Sequence, residues 1–207
     1  MVELLRGKDE SEKWLRQALA LHAELGDHDG VANDYRTLGL IAIARHKWDE
    51  ARQFLSEALD ITKANGHREG TIECYQWLGE LEHKLGQWEE AERWLQEALA
   101  LAQSMGQEIR VAACYLQLGL TAEARGDAAE ALESTVRALS LARRFPQAAN
   151  RTAPGQMLSS VTKLLGIGAI EECWERLTGE PLPDDVRQLA PTGPERTPEL
   201  GRISADT

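Results

Sequence analysis

Apolar residues recur at three- and four-residue intervals from position 69 to position 104, and polar turn residues interrupt them once. This spacing places apolar side chains on one face of an α-helix. The first part predicts a helix over 69–84, and the second predicts a helix over 88–104. Gly86 separates the two, and Gly106 follows the second helix, as glycine commonly does beyond a helix end.

The same pattern returns forty residues upstream and again forty residues downstream. Seven columns are identical in all three copies, namely Tyr, Leu and Gly, then Glu, Ala, Ala and Leu. A fixed period of this length is typical of stacked helical repeats, and it predicts full repeats over 29–66, 69–106 and 108–145. The Tyr, Leu, Gly and Ala columns, called the repeat frame below, comprise Tyr35, Leu38, Gly39, Ala51, Ala58, Tyr75, Leu78, Gly79, Ala91, Ala98, Tyr115, Leu118, Gly119, Ala131 and Ala138.

The glycine column of the repeat frame lies inside a predicted helix, where glycine costs about 1 kcal/mol relative to alanine. That cost is tolerable where another backbone must come close. In the middle copy, Ala91 and Ala98 lie two helical turns apart on the following helix, so both face the same way. We therefore expect Gly79 to face these small alanines in a tight helix contact, with Tyr75 and Leu78 beside it.

An aromatic residue, then Leu-Gly, then two alanines on a second helix is the pattern of the tetratricopeptide repeat. Over residues 11–145 the chain resembles this family, and its period is similar to that of kinesin light chains, Pins-like adaptors and the sensor arrays of bacterial signalling ATPases. The resemblance implies an all-α fold, a right-handed α-solenoid of antiparallel helix pairs that forms a superhelix. It also implies that the first helices of successive repeats line a concave groove.

The tetratricopeptide array is expected to occupy residues 1–145 and to begin with a partial repeat over 1–26. In this partial repeat, Arg6-Gly7-Lys8 is predicted to form a turn before a helix over 11–25. Either the chain is a fragment of a longer array, which we favour, or this first unit is a degenerate cap. Trp14 shares a column with Phe54 and Trp94, and this recurrence predicts that all three pack inside the array.

The repeat pattern fails after Pro146, and residues 146–178 are predicted to form a divergent pair of capping helices over 154–165 and 168–177. The second of these helices carries four apolar residues on one face: Ile170, Cys173, Trp174 and Leu177. Five of the seven prolines fall in 179–207, which we expect to be a disordered tail with at most a short helical turn over 184–189.

The composition limits the kinds of molecule that the chain could bind. The net charge is −11 and no basic patch is present, which argues against binding to nucleic acid. No apolar run approaches the length of a membrane span, and the N-terminus lacks a signal-peptide core, so we expect a cytoplasmic protein without a membrane anchor. Cys74 and Cys114 occupy one column of adjacent repeats, which favours a buried apolar role over a disulfide.

The sequence carries no recognisable catalytic or cofactor motif. Gly166-Ile-Gly168 follows no strand and lacks the third glycine of a dinucleotide loop. The five histidines show no metal-ligand spacing, and His46, which replaces a turn glycine, is expected to be a solvated turn residue. Adjacent carboxylates such as Glu89-Glu90 do not face each other on a helix. We therefore expect no metal, no cofactor and no enzymatic activity.

The resemblance identifies the positions that should face the concave groove. From the three full repeats these are Asn33, Arg36, Leu40, Ile43, Glu73, Gln76, Trp77, Glu80, His83, Leu116, Gln117, Leu120 and Glu123. Trp77 is the candidate hot spot, because its column otherwise holds Thr37 and Gln117, although packing against a neighbouring helix would also explain it. The lysine, asparagine and arginine of chaperone-binding family members are missing except for Arg36, so a chaperone-tail partner is not expected.

Two functions remain in contention. The first is a protein–protein interaction scaffold or adaptor whose groove binds a peptide or helix of a partner protein. The second is a sensor or regulatory segment of a larger, bacterial signalling regulator, either a nucleotide-switch ATPase of the STAND type or a transcription activator. An enzyme with an unrecognised site is a third, less favoured, hypothesis. We also expect that the chain could form a homodimer through the exposed faces of its terminal repeats.

Overall fold

The computed structural model describes residues 2–144, 158, 162 and 164–189, with side-chain environments described from residue 12 onward. The secondary structure in this part of the chain is helical, and residues 158, 162, 164 and 165 are also in helical conformation. The helices with described bounds are α1 (Val2–Leu25), α2 (His28–Ala44), α3 (Trp48–Ala64), α4 (Arg68–Lys84), α5 (Trp88–Ser104), α6 (Glu108–Arg125), α7 (Ala128–Arg144), α8 (Ile167–Thr178) and α9 (Asp184–Arg187).

The helices pack as consecutive pairs along the chain. The largest contacts join α2 to α3, α4 to α5 and α6 to α7, and each pair stacks on the next through α3 against α4 and α5 against α6. This arrangement confirms the predicted all-α solenoid of helix pairs. In the middle repeat, α5 begins and ends at the predicted residues, and α4 begins one residue before the prediction. No helix in the described part is long and apolar enough to cross a membrane.

Two buried clusters hold the solenoid together. The first extends over α2 to α6 and includes Leu55, Ile72, Leu78 and Leu81, and the second joins α7 to the C-terminal helices. Because each repeat buries its apolar face only against its neighbours, the two clusters form a continuous series rather than one central core. Cys74 and Cys114 lie in the first cluster as free thiols, and burial raises the pKa of each to about 11.

The glycine column lies at a close helix contact that includes the predicted Ala91, but the nearest atoms belong to a leucine that was not predicted. A Cβ atom on Gly79 would lie 2.7 Å from Cγ of Leu95 and 3.4 Å from the carbonyl oxygen of Ala91. Gly39 meets Leu55 in the same way, at 2.8 Å. The glycine therefore makes room for a leucine side chain one turn after the first alanine of the pair.

The start of the array differs from the expectation at two points. Helix α1 is continuous from Val2 to Leu25, so the turn predicted at Arg6-Gly7-Lys8 is wrong. A single glycine costs only about 1 kcal/mol inside a helix, and the neighbouring leucines and charged residues are good helix formers. Trp14 is 68% exposed rather than packed. Tyr35 covers Phe54 at a ring distance of 6.2 Å, whereas no described residue covers Trp14 in this way.

The C-terminal residues cover the last full repeat. Helix α8 has the predicted apolar face, and Ile170, Cys173 and Trp174 are buried against α7. The helix predicted over 154–165 lies mostly outside the described residues, although Leu158 is helical and fully buried.

Helix α9 lies within the short helical turn expected over 184–189. Leu182 and Val186 are buried, so the expectation of disorder is wrong for the rest of the described segment beyond α8. Two apolar side chains anchor this proline-containing segment to the core. Residues 190–207, which the expected tail also includes, lie outside the described residues. The exact domain limits remain predictions.

Candidate functional site

The first helices of the three full repeats, α2, α4 and α6, form one side of the solenoid. Helix α2 contacts α4 and α4 contacts α6 directly, so equivalent side chains form rows across the three helices. We call this surface the concave wall and define it as the expected groove residues other than Ile43, together with Ile109 and Arg110. Most of these side chains are half-buried, which leaves part of each accessible to another molecule.

The row nearest the start of the three helices is a charged cluster. Glu73 accepts hydrogen bonds from Arg36 on α2 and from Arg110 on α6, the latter at 2.9 Å. Arg36 also donates to Oδ1 of Asn33 at 2.6 Å. The exposed fractions of Arg36, Glu73 and Arg110 are 23%, 30% and 29%. Two guanidinium groups share the Glu73 carboxylate, and the carboxylates of Asp29 and Glu69 line the adjoining cleft.

A second set of polar contacts links α4 to α6 further along the helices. Gln76 lies 3.4 Å from the sulfur of Cys114, and Nδ1 of His83 lies 3.2 Å from the hydroxyl of Thr121. The Thr121 hydroxyl donates to the carbonyl oxygen of Gln117 at 2.9 Å, so it accepts from His83. Burial lowers the pKa of His83, and the nearby charge of Lys84 lowers it further.

The apolar residues of the concave wall differ in how far they can reach a partner. Leu120 is 40% exposed, whereas Leu40 and Trp77 are partly buried against the first core cluster, and Leu116 packs against the second. Ile43 is only 8% exposed and belongs to the first cluster, so its expected place on the groove surface is wrong.

The remaining carboxylates of the expected groove lie beyond the apolar residues. Glu80 is half-buried and pairs with Lys84 at 3.4 Å on the same helix, and Glu123 is half-buried on α6. The concave wall therefore carries charged side chains of both signs at each edge and apolar side chains between them.

Two residues of the concave wall were missed in the sequence. Arg110 occupies the column that holds Gly30 and Gly70 in the earlier repeats, and Ile109 occupies the column of Asp29 and Glu69. Ile109 is 48% exposed and lies on the same helical face as Leu116 and Leu120. The departure from the column residue was the available signal, since a change from Gly to Arg adds a long charged side chain.

The wall also borders a polar cleft of about 240 Å³ between α2 and α4. Asn33, Arg36, His67 and Glu73 line it, together with Cys74 and other residues of the two helices. Within the described part of the chain, no group of three or more His, Cys, Asp or Glu residues could hold a metal ion. The arrangement offers hydrogen-bond donors, acceptors and apolar contacts, which are the features of a binding surface.

The comparison with family models gives the family. A model described as tetratricopeptide repeat matches residues 1–64 and again 68–144, which together exceed half of the chain. The chain belongs to the tetratricopeptide repeat family. No curated protein matches it significantly.

Solved structures of other proteins share the fold of this chain. The crystal structure of BtubC (BKLC) from P. vanneervenii is similar with a TM-score of 0.72 and 24% identity, covering 97% of this chain and 81% of that chain. A putative kinesin light chain from Podosopora anserina, with nearly identical TPR-like repeats, is similar with a TM-score of 0.62 and 19% identity, covering 88% and 86%. At these identities the likeness supports the shared architecture.

Proposed function

We propose that this tetratricopeptide repeat protein is a non-enzymatic interaction scaffold that holds a peptide or helix of a partner protein against its concave wall. The observation that carries the proposal is the alignment of α2, α4 and α6, which brings Arg36, Glu73, Trp77 and Leu120 onto one accessible surface. A partner segment that crosses the three helices would contact all three repeats at once. Such a surface provides affinity through several modest contacts.

The charge distribution indicates the chemistry of the bound segment. The accessible guanidinium groups of Arg36 and Arg110 share the Glu73 carboxylate, and they would donate hydrogen bonds to an acidic side chain of the partner. The apolar neighbours Trp77 and Leu120 would take an apolar anchor, and Glu123 would favour a basic residue. We therefore expect a segment that carries an apolar anchor between charges of opposite sign.

The proposal can be tested without knowledge of the natural partner. A random peptide library displayed on phage is selected against the whole chain, and the enriched peptides are synthesised and titrated. Leu120→Glu and Trp77→Ala should each weaken binding by about tenfold or more, since apolar anchors dominate such interfaces. Ala100→Glu is the matched control, because Ala100 is exposed on α5, outside the concave wall.

Hydrogen exchange in the presence of an enriched peptide gives a second measurement. Protection should appear on α2, α4 and α6 and should be weaker on α3 and α5. Failure of the library to enrich any peptide would overturn the proposal. Enriched peptides that bind Leu120→Glu, Trp77→Ala and Ala100→Glu as tightly as the parent would also overturn the assignment of the concave wall.

A sensor or regulatory segment of a larger signalling regulator is the alternative, and it would use the same surface. The exposed apolar side of α1, which includes Trp14, favours it because a neighbouring helix of a longer array could cover that side. If the surrounding gene encodes an ATPase or transcription activator domain in the same frame, an enriched peptide should alter the activity of that domain. An unchanged activity would exclude this alternative.

We place the scaffold in the cytoplasm. Cys74, Cys114 and Cys173 are free and buried, and unpaired thiols suit a reducing compartment. The acidic composition fits a protein that avoids nucleic acid and engages other proteins. Fractionation of the native cell, with detection of the protein in the membrane or external fraction, would contradict this location.

A further inference from the structure

Helix α1 carries an apolar stripe that no described helix covers. Trp14, Leu21 and Leu25 are 68%, 57% and 79% exposed, and Ala18 lies between them. Intervals of four, three and four residues place these side chains on one face of the helix. Three large apolar side chains on one face form a contiguous patch, which is characteristic of an interaction surface.

Two of the four columns of the stripe are covered in the later repeats, whereas the column of Leu25 holds the exposed Asn65 in the first full repeat. Phe54 and Trp94, which share the column of Trp14, pack on Tyr35 and Tyr75 at ring distances of 6.2 and 5.7 Å. Ala58 and Ala98, which share the column of Ala18, are fully buried. The stripe on α1 therefore has the residue types of a helix-packing face, although it faces outward here.

The opposite end of the array is only partly covered, and Leu164, Leu165 and Ile167 beside the start of α8 are 68%, 41% and 37% exposed. The outer side of α7 is covered by α8 and by the segment around α9, with Ile170, Trp174 and Val186 buried against it. A head-to-tail stack of copies would need an open face at both ends. Because exposed apolar residues lie at both ends, the charges beside the α1 stripe decide between such a stack and a closed two-fold pair in which the same surface of each copy meets.

The charges beside the stripe are complementary to themselves in an antiparallel arrangement. Lys13 and Glu24 are both exposed and lie on the same flank of the stripe, eleven residues apart, which is about 16 Å along the helix. When two α1 helices run in opposite directions, Lys13 of each copy lies beside Glu24 of the other. Trp14 of each copy then lies near Leu25 of the other, with Ala18 and Leu21 at the centre.

We propose that two copies of this chain form a dimer by packing their α1 helices antiparallel through Trp14, Ala18, Leu21 and Leu25. The six large apolar side chains supply the core of the interface, and two symmetric Lys13–Glu24 pairs set its direction. The concave wall lies on α2, α4 and α6, so a partner segment could still bind each copy. The dimer would present two such walls and so raise the avidity for a partner with two binding segments.

The test is the molar mass of the whole chain in solution as a function of concentration, measured by sedimentation and light scattering. The parent chain should form a dimer. Trp14→Lys and Leu21→Lys should each raise the dissociation constant by about tenfold or more, because each buries a charge in the interface. Both positions are exposed in the single chain, so the helical circular dichroism signal should match the parent.

Ala23→Lys is the matched control, since it adds the same charge at an exposed position on the opposite side of α1. It should leave the dissociation constant unchanged. A monomeric parent chain at every concentration tested, or an unchanged dimer in Trp14→Lys, would overturn the proposal.

A charge exchange tests the antiparallel direction separately. Lys13→Glu alone and Glu24→Lys alone place like charges together and should weaken the dimer severalfold. The double variant Lys13→Glu/Glu24→Lys restores opposite charges and should recover the parental dissociation constant. A double variant that is weaker than either single variant would exclude this arrangement, whatever the result of the peptide titrations on the concave wall.

Discussion

Arg52 of α3 and Glu82 of α4 form a two-pronged ion pair in which two guanidinium nitrogens each lie 2.8 Å from a carboxylate oxygen. The Glu82 side chain is only 5% exposed, so the guanidinium supplies the charge that balances a buried carboxylate. The hydrogen bond to Glu82 raises the pKa of Arg52 above its ordinary value. This pair joins the first full repeat to the second.

The neighbouring repeat junctions carry related pairs. Glu12 of α1 pairs with Arg45 of α2, and Glu92 of α5 pairs with Arg125 of α6 at 2.8 Å. Glu12, Arg52 and Glu92 stand forty residues apart, so one column supplies an ion pair at each of these junctions, with the charges reversed at the middle one. The reversal makes the middle junction electrostatically distinct from the others.

Removal of the Arg52 side chain should leave the buried Glu82 carboxylate unpaired, which destabilises the folded state. We expect Arg52→Ala to lower the free energy of unfolding by about 1–2 kcal/mol. The loss is smaller than for a fully buried pair because the Arg52 side chain is 41% exposed. The double variant Arg52→Ala/Glu82→Leu should recover most of the loss, because it removes the buried charge. Denaturant titration measures both, and equal destabilisation of the single and double variants would contradict this account.

The exposed pair Lys47–Glu50 provides the control. Its side chains are about half exposed, at 48% and 47%, and the two residues lie within one helical turn. Lys47→Ala should change the free energy of unfolding by less than about 0.5 kcal/mol.

The contact between Gly79 and Leu95 gives the second prediction. A methyl group on Gly79 would begin 2.7 Å from Cγ of Leu95, which requires the two helices of the repeat to move apart or Leu95 to change rotamer. Gly79→Ala should therefore destabilise the chain by about 1–3 kcal/mol, despite the better helix propensity of alanine. Thermal and denaturant unfolding would report the loss.

Gly168 is the matched control for this substitution. It lies in α8 with no atom within 4 Å of a Cβ placed on it, and its backbone is helical. Gly168→Ala should be neutral or should stabilise by up to about 1 kcal/mol. A Gly79→Ala variant as stable as Gly168→Ala would mean that Leu95 adapts without cost.

Packing within a repeat could be predicted from the sequence because the same columns recur. The stripe that includes Tyr75 and Leu78 identified helices α4 and α5 almost to the residue, since periodic burial depends on residues near in sequence. The same recurrence also led to one wrong prediction, the burial of Trp14. Trp14 has the residue type of its column but lacks the tyrosine that covers Phe54, so column identity alone did not establish burial.

Contacts between repeats could not be predicted from recurrence, because their residues differ from copy to copy. Arg110 replaces a column glycine, and its pairing with Glu73 and Arg36 depends on the stacking distance between three helices. Val186 was equally hard to identify, since it is a single apolar residue in a polar, proline-rich stretch whose burial depends on where α8 ends. In each case the contact depends on how separate helices lie in space, and residue spacing along the chain does not give that information.

His46 gives the third prediction. It is exposed, as expected, and has a φ of 58°, in the turn where Gly86 and Gly126 have φ of 73° and 88°. A non-glycine residue in the left-handed region costs about 1–2 kcal/mol, and an edge contact with Trp48 at 5.1 Å offsets part of it. His46→Gly should thus stabilise the chain by roughly 0.5–1 kcal/mol, after allowance for the greater freedom of glycine in the unfolded state.

The reciprocal change at the equivalent turn is the control for His46. Gly86→Ala should destabilise by about 1 kcal/mol, because it introduces a Cβ at positive φ. If His46→Gly lowers the melting temperature, the contact with Trp48 outweighs the backbone strain and the prediction is wrong.

The last prediction concerns pH and the concave wall. Burial of His83 holds its pKa below the ordinary value of 6.5. The folded chain therefore binds a proton at His83 less readily than the unfolded chain does. The unfolded state therefore binds more protons as the pH falls below about 6.5, and the free energy of unfolding decreases. His83 contributes its full stability above that pH and loses it as the pH falls through its folded pKa.

His83→Gln removes this titration while retaining a donor for the Thr121 hydroxyl and the approximate side-chain volume. Its free energy of unfolding should fall less than that of the parent between about pH 7.5 and pH 5.5, as measured by denaturant titration at each pH. The other histidines are present in both proteins, so the difference between the two curves isolates His83. Parallel curves would show that the native chain accommodates a charged His83, and the burial argument for this residue would then fail.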